Sequence, residues 1–389
     1  MRLFLRSVPR HRLGSLLLML AVALGMAIAL LGFSPSPAPA KSPPPQEIRG
    51  VWLTNIDSDV LFSKEKLRQG LQRLRRMNFN TAYPTVLNGG YTLYPSNIQG
   101  AVSGIALDPE PGLRGRDMLA EAVTEGRRQG LQIIPWLEFG FMLPDPSAIA
   151  QRHPDWLSQR RDGSEVWLEG GRIPRRWLNP FHPQVQAYLT ALVAEIVSRY
   201  DIDGIQFDDH FGLPVDFGYD AYTTNLYARD HGGKQPPANA ADPAWVKWRA
   251  DKISAVMAQV FHSVKAMDPD CIVSLSPNPW EFAYGTYLQD WRAWERAGYV
   301  EQLLVQVYRD DMARFESELR HPTVRQANGH ISTGIGILAG LKNRDVPMAQ
   351  IEAQVRKVRS EGIGGFSMFF YQTLGNRDAA FAKLLGDRP

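Results

Sequence analysis

The stretch "DGIQFDDHFGLP", residues 203–214, follows an amphipathic run at 183–199 and sets a short apolar strand before two adjacent aspartates. Along a pleated strand, side chains alternate between faces. Gln206, Asp208 and His210 then share one face, and Ile205, Phe207 and Asp209 the other. Ile205 and Phe207 suit packing against helices, so the polar set points inward and Asp208 is the inward carboxylate. Asp209 lies where the strand loosens. It caps the following loop, pairs with an arginine, or swings to the rim beside Asp208.

Working outward, the same helix–strand unit recurs. Strand-like runs are expected at 49–55, 80–87, 131–141, 203–210, 271–280, 301–311, 331–340 and 364–373. Amphipathic helices are expected near 63–77, 116–129, 183–199, 244–267 and 287–297, with a helix after each of the last three strands. Eight strands alternating with helices predict a parallel sheet closed into an α/β (β/α)8 TIM barrel, with long βα-loops after strands 2, 3 and 4. A doubly wound open sheet is the alternative, but no glycine-rich phosphate loop follows the first strand. The expected barrel domain runs over residues 48–389.

Residues 1–40 read differently. Arg2, Arg6, Arg10 and Arg12 precede an apolar run at 13–33, and Ala38 and Ala40 fit a small-residue cleavage pattern. The 21 apolar positions also suffice to span a bilayer, so the segment is a signal peptide or a membrane anchor. Either places the barrel outside the cytoplasm, in the periplasm or cell envelope, with residues 13–33 as a possible membrane tether. Residues 41–47 form the end of a proline-rich linker. The four arginines also account for the formal net charge of +3. The rest of the chain is close to neutral, which excludes a broad basic surface for nucleic acid. Cys271 is the only cysteine, so no intrachain disulfide forms.

In an eight-stranded barrel, functional groups sit at the C-terminal ends of strands. Those ends carry Trp52 and Asn55 (strand 1), Tyr83 (strand 2), Trp136 and Glu138 (strand 3), and Gln206, Asp208, Asp209 and His210 (strand 4). Strands 5, 6 and 8 add Asn278 and Trp280, Tyr308, Asp310 and Asp311, and Tyr371. By the pleat, Glu138, Asp208 and Asp310 converge on one mouth, although Asp310 and Asp311 also suit the N-cap of a helix near Met312. Hydrolysis of a glycosidic bond needs one carboxylic acid to protonate the leaving oxygen and a carboxylate to stabilise or attack the oxocarbenium-like centre. Crowded acids raise one pKa and keep a proton near neutral pH. Trp52, Tyr83, Trp136, Trp280, Tyr308 and Tyr371 suit stacking on sugar rings. Asn55, Asn179, Gln206, His210 and Asn278 suit reading hydroxyls. His210 beside two aspartates suggests a metal, but no further His or Cys cluster supports one. No cofactor is expected.

"RGVWLTNIDSDVL", "WLNPFHPQVQAYLTALVAEIVSRYDIDGIQFDDHFG" and "VQVYRDD" together resemble the glycosyl-hydrolase-like family 10, a group of bacterial envelope proteins. The resemblance runs from about Glu47 to Tyr371. It implies a (β/α)8 barrel and a glycosidase acting on a cell-wall polysaccharide, namely peptidoglycan glycan strands, especially those stripped of peptides. The strand-4 block also resembles the D-G-F-R-x-D strand of alpha-amylase-like enzymes, which implies a nucleophile at Asp208. Family 18 chitinases carry their acid at the position of His210, so that acid does not carry over. Members of the resembled family have asparagine-proline where this chain has Glu138, which implies that Glu138 is a subfamily feature. A glycan-binding barrel without catalysis and a transglycosidase on the same fold are the competing functions.

Overall fold

A computed structural model describes residues 47–386. The export segment expected in residues 1–40, and the linker up to residue 46, lie outside the described residues. Among the described residues no helix is long and apolar enough to cross a membrane.

Eight parallel strands close into a barrel: β1 (Ile48–Leu53), β2 (Thr81–Asn88), β3 (Gln132–Ile133 and Trp136–Leu137) and β4 (Gly204–Asp208), then β5 (Ile272–Ser276), β6 (Gln302–Gln306), β7 (Ser332–Leu338) and β8 (Gly365–Phe369). Closure runs through β1, where Val51 registers with Met368 of β8 and Trp52 with Tyr83 of β2. A helix follows each strand, as the alternation predicted, and their apolar stripes cover the outside of the barrel. Lys64–Arg76 is typical: Ser63 caps it through the Lys66 N–H, and Leu67, Leu71 and Leu74 are buried.

Three local expectations are corrected. The run at 131–141 is not one strand, because Pro135 has no N–H for the ladder. The pairing nonetheless passes through the gap: the Ile134 N–H donates to Ala82 O and Pro135 O accepts from the Gln206 N–H, at 3.0 and 2.8 Å. The helix expected at 287–297 is two helices, Trp280–Tyr287 and Trp291–Arg296, with Leu288 in a left-handed conformation between them. β6 stops at Gln306, short of the expected 311.

The loops after β2, β3 and β4 are long, as expected, and carry their own structure. The β3 loop holds a three-stranded antiparallel sheet of Met142–Pro144, Trp167–Glu169 and Ile173–Trp177. Ile48, Trp52, Tyr83, Ile134, Trp136, Leu304 and Phe370 form a cluster separate from the outer core, filling the barrel itself. Gly50 makes room for it. A Cβ there would lie 2.7 Å from Tyr83 Cε2 and 2.9 Å from Ser367 Oγ.

Candidate active site

β4 delivers its polar face inward. Gln206 is fully buried; its Oε1 accepts from the Trp52 indole at 2.6 Å, and its amide donates to Ser274 Oγ at 2.9 Å. Ser274 donates in turn to Gln302 Oε1, which also accepts from the Tyr83 hydroxyl, both at 2.9 Å. This polar chain is satisfied within the barrel. Trp52 and Tyr83, 1 % and 0 % exposed, therefore pack with Gln206 in the barrel interior beneath Asp208, where a substrate-binding role was expected for all three.

One residue pair higher, Asp208 sits at the mouth, 2 % exposed. Its Oδ2 accepts from the Trp136 indole at 3.1 Å, and its Oδ1 accepts from the His210 backbone N–H at 2.9 Å. Trp136, 4 % exposed, thus orients the carboxylate. Gln289 fixes the turn beneath, donating to Asp208 O at 2.8 Å and Phe211 O at 3.2 Å.

Asp209 also faces the mouth. Its two oxygens accept from Asn278 Nδ2 at 2.9 Å and Gln306 Nε2 at 3.1 Å. β4 ends at Asp208, so the pleat no longer assigns Asp209 to the opposite face. Gln306 is pinned by a second bond to Ser276 O at 2.7 Å.

Glu138 follows β3, half-buried. Its Oε2 accepts from Asn88 Nδ2 at 2.7 Å and Thr85 Oγ1 at 3.3 Å. Asn88 gives its other amide hydrogen to Asn55 Oδ1 at 2.9 Å, so Asn55 supports Glu138 from behind. His210 Nδ1 lies 2.8 Å from Glu138 O and 3.1 Å from Asp208 Oδ1. A carbonyl only accepts, so Nδ1 carries a proton and shares it between the two.

Burial raises the Asp208 pKa to about 6; Asp209 adds to the rise and His210 opposes it. Burial, then the Asp208 charge, raises Glu138 to about 8. Burial disfavours a charged His210, but Asp208 and Asp209 outweigh it and hold the imidazolium up to about 10. Near pH 7 the mouth therefore contains an ionised Asp208, a protonated Glu138 and a cationic His210. Tyr308 is half-buried beside this cluster. Burial pushes its hydroxyl well above the ordinary phenol value, and Asp209, Asp208 and Glu138 push the same way.

Asp208, Asp209 and His210 present ligand atoms within 4.8 Å of one another, a spacing that a cation accepts. His210 Nδ1 is committed as a donor, however, and three hydrogen bonds already reach the Asp208 carboxylate, so these residues fit a proton-transfer site better than a metal site.

Five expected site residues lie elsewhere. Asp310 is past the end of β6, exposed, and its carboxylate pairs with Arg344 at 2.9 Å. Asp311 caps the helix Met312–Leu319 through the Arg314 N–H. Asn179 is fully buried and donates to Asp220 and Thr223, tying the β3 and β4 loops together. Trp280 opens a helix, stacks on Tyr284 at 5.3 Å and donates to Asp290 at 3.0 Å. Tyr371 leaves the barrel and lines a separate cavity of about 500 Å³ with Arg73 and Gln69.

Asn88, Thr85, Gln306 and Gln289 were not expected in the site. Gln306 was readable as the last inward position of β6, and Asn88 as the residue just past the expected end of strand 2. Gln289 carried no signal, since its role depends on a loop that returns to β4.

Against known proteins, residues 47–357 match the family model described as Glycosyl hydrolase-like 10. The chain is 26% identical over 313 residues to the glycosyl hydrolase DigH of Escherichia coli, covering 68% of this chain and 66% of that protein. It is 22% identical to the glycosyl hydrolase YngK of Bacillus subtilis, covering 68% of this chain and 54% of the other. The chain thus spans just under two thirds of the first relative and about half of the second. In fold it is similar to the glycoside hydrolase domain of PgaB (BpsB) from Bordetella bronchiseptica, with a TM-score of 0.68 and 14% identity, covering 89% of this chain and 100% of that one. It is also similar to the catalytic domain of a beta-amylase from Paenibacillus polymyxa, with a TM-score of 0.57 and 12% identity, covering 88% and 98%. With the family model matching most of its length, the chain belongs to the glycosyl hydrolase-like 10 family.

Proposed function

We propose that this protein is a glycoside hydrolase acting on cell-envelope glycan, and that its substrate is the glycan strand of peptidoglycan. The observation that carries this reading is the geometry of two carboxyl groups in one mouth, Asp208 and Glu138, whose segments share the His210 Nδ1–H, with burial raising both pKa values, to about 6 and about 8. Such a pair supplies both parts of glycosidic cleavage at neutral pH. Glu138 holds the proton for the departing oxygen, and ionised Asp208 stabilises or attacks the oxocarbenium-like centre. Trp136 and His210 orient Asp208, while Asn278 and Gln306 hold Asp209 beside it.

The envelope substrate is supported by the leader read in residues 1–40, which directs the barrel out of the cytoplasm, and by family membership. The test is incubation of the purified chain with intact and peptide-free peptidoglycan strands, followed by mass analysis. New reducing ends on peptide-free strands support the reading. Tight binding with no turnover would replace it with a glycan-binding barrel, and products longer than the substrate with a transglycosidase.

A further inference from the structure

The antiparallel sheet in the β3 loop packs beside the acid cluster, with Trp177 against His210. Directly opposed residues in an antiparallel pair project to the same side. Trp167 opposes Arg175 and Glu169 opposes Ile173, so these four share a face with Trp177. Trp177 is fully buried at the root, its ring 6.3 Å from the His210 ring. Arg175 stands over Phe139 at 5.0 Å, and Phe139 packs on His210 at 5.6 Å. This face is therefore anchored to the acid cluster at its inner end. Ile173, four residues farther out, is 49 % exposed. At about 3.3 Å per residue, the ledge projects roughly 13 Å beyond Trp177.

The helix Trp280–Tyr287 adjoins this face of the sheet. Tyr287 packs on Trp177 at 6.0 Å and on Trp167 at 6.2 Å. Burial, then the charges of Asp209, Glu169 and Asp208, pushes its hydroxyl above the ordinary phenol value. Phe282 packs edge-on against Tyr287 at 5.9 Å and is 51 % exposed. Aromatic contacts thus run unbroken from His210 through Trp177 and Tyr287 to Trp167 and Phe282, with exposure rising outward. Leu168 is equally exposed on the sheet's other face, so what distinguishes Ile173 and Phe282 is that each extends the run of contacts leading out from the acid cluster.

We infer that Trp167, Ile173 and Phe282 form an extended subsite that grips a glycan chain beyond the bond that is cut, so that the enzyme acts on polymer in preference to short fragments. This rests on the glycosidase reading of the acid cluster. Ring faces at Trp167 and Phe282 stack on the apolar faces of sugar units, and the Arg175–Glu169 pair, at 2.8 Å, offers hydroxyls a donor and an acceptor.

The test compares peptide-free peptidoglycan strands with their disaccharide fragment, using Phe282→Ala and Trp167→Ala in the full chain. Phe282 is the cleaner probe because its ring is half in solvent, whereas Trp167 also packs on Trp177. The ratio of kcat/KM on strands to kcat/KM on the fragment is expected to fall roughly three- to tenfold in each variant, through KM. An unchanged ratio, or equal losses on both substrates, overturns the inference. Should neither substrate turn over, the glycosidase reading fails separately. Retardation of Asp208→Asn in gels cast with strands then decides the ledge: Phe282→Ala on that background weakens retardation roughly three- to tenfold if the ledge binds glycan, and leaves it unchanged if it does not.

Discussion

His210 holds Asp208 twice through one oxygen: its backbone N–H is 2.9 Å and its ring Nδ1 3.1 Å from Asp208 Oδ1. The same Nδ1–H reaches Glu138 O, so one cationic side chain joins the two segments that carry the proposed acids. Replacing it with Phe282-like bulk, as His210→Phe, keeps a ring against Phe139 and removes the charge. Asp208 then ionises less readily, because a neighbouring cation favours the carboxylate. The acidic limb of the kcat/KM profile is expected to move up by about one pH unit or more. A limb that stays in place would show that His210 does not tune Asp208.

The native profile itself should be bell-shaped. The proposed mechanism requires Asp208 ionised, above about pH 6, and Glu138 protonated, below about pH 8. Glu138→Gln removes the proton donor and is expected to lower kcat by about 10²–10⁴-fold while abolishing the alkaline limb. A leaving group that needs no protonation should restore most of the rate. Persistence of the alkaline limb in this variant would exclude Glu138 as the acid.

Stability carries the same signature. The folded Glu138 pKa lies above its ordinary value of 4.5, so the unfolded chain releases this proton first. Below pH 4.5 the group is protonated in both states and does not make stability pH-dependent. From 4.5 to about 8 the folded state is progressively penalised. Glu138→Gln should therefore gain in Tm over the native chain as pH rises through that window. A Tm difference that is flat with pH would argue against a raised pKa.

Much of this was legible in advance, for physical reasons that particular residues show. Ile205 and Phe207 against Gln206 and Asp208 form an alternation that only an inward polar face satisfies, and it placed Asp208 correctly. The same rule misplaced Asp310, because β6 ends at Gln306 and periodicity has no force beyond the last ladder pair. Asp209 was hard to place for the same reason. Trp52 sits near the end of β1 yet serves the barrel interior, since the tilt of a closed sheet decides which layer is floor and which is mouth, and Tyr83 lies early in β2, two layers short of the mouth-side Asn88. Asn179 is a polar residue whose partners, Asp220 and Thr223, are set by the packing of two loops.

The barrel floor offers a prediction independent of function. Gly50→Ala introduces a Cβ within 3 Å of Tyr83 Cε2 and Ser367 Oγ, where neither strand yields easily. Overpacking of this kind is expected to cost about 1–3 kcal/mol in chemical denaturation. A neutral result would mean that the Trp52–Tyr83 plug repacks freely.

Among the carboxylates, Asp310 is the internal control. It is exposed and paired only with Arg344, so Asp310→Asn should leave hydrolysis within about twofold of native, in keeping with the small effect of a surface ion pair. A large loss there would bring Asp310 back into the chemistry.

The most direct test of the central claim is the release of reducing ends from peptide-free peptidoglycan strands by the native chain and by Asp208→Asn, followed by mass spectrometry. The account predicts cleavage by the native chain and a loss of about 10³-fold or more in a folded Asp208→Asn variant. Undiminished cleavage by that variant would contradict it.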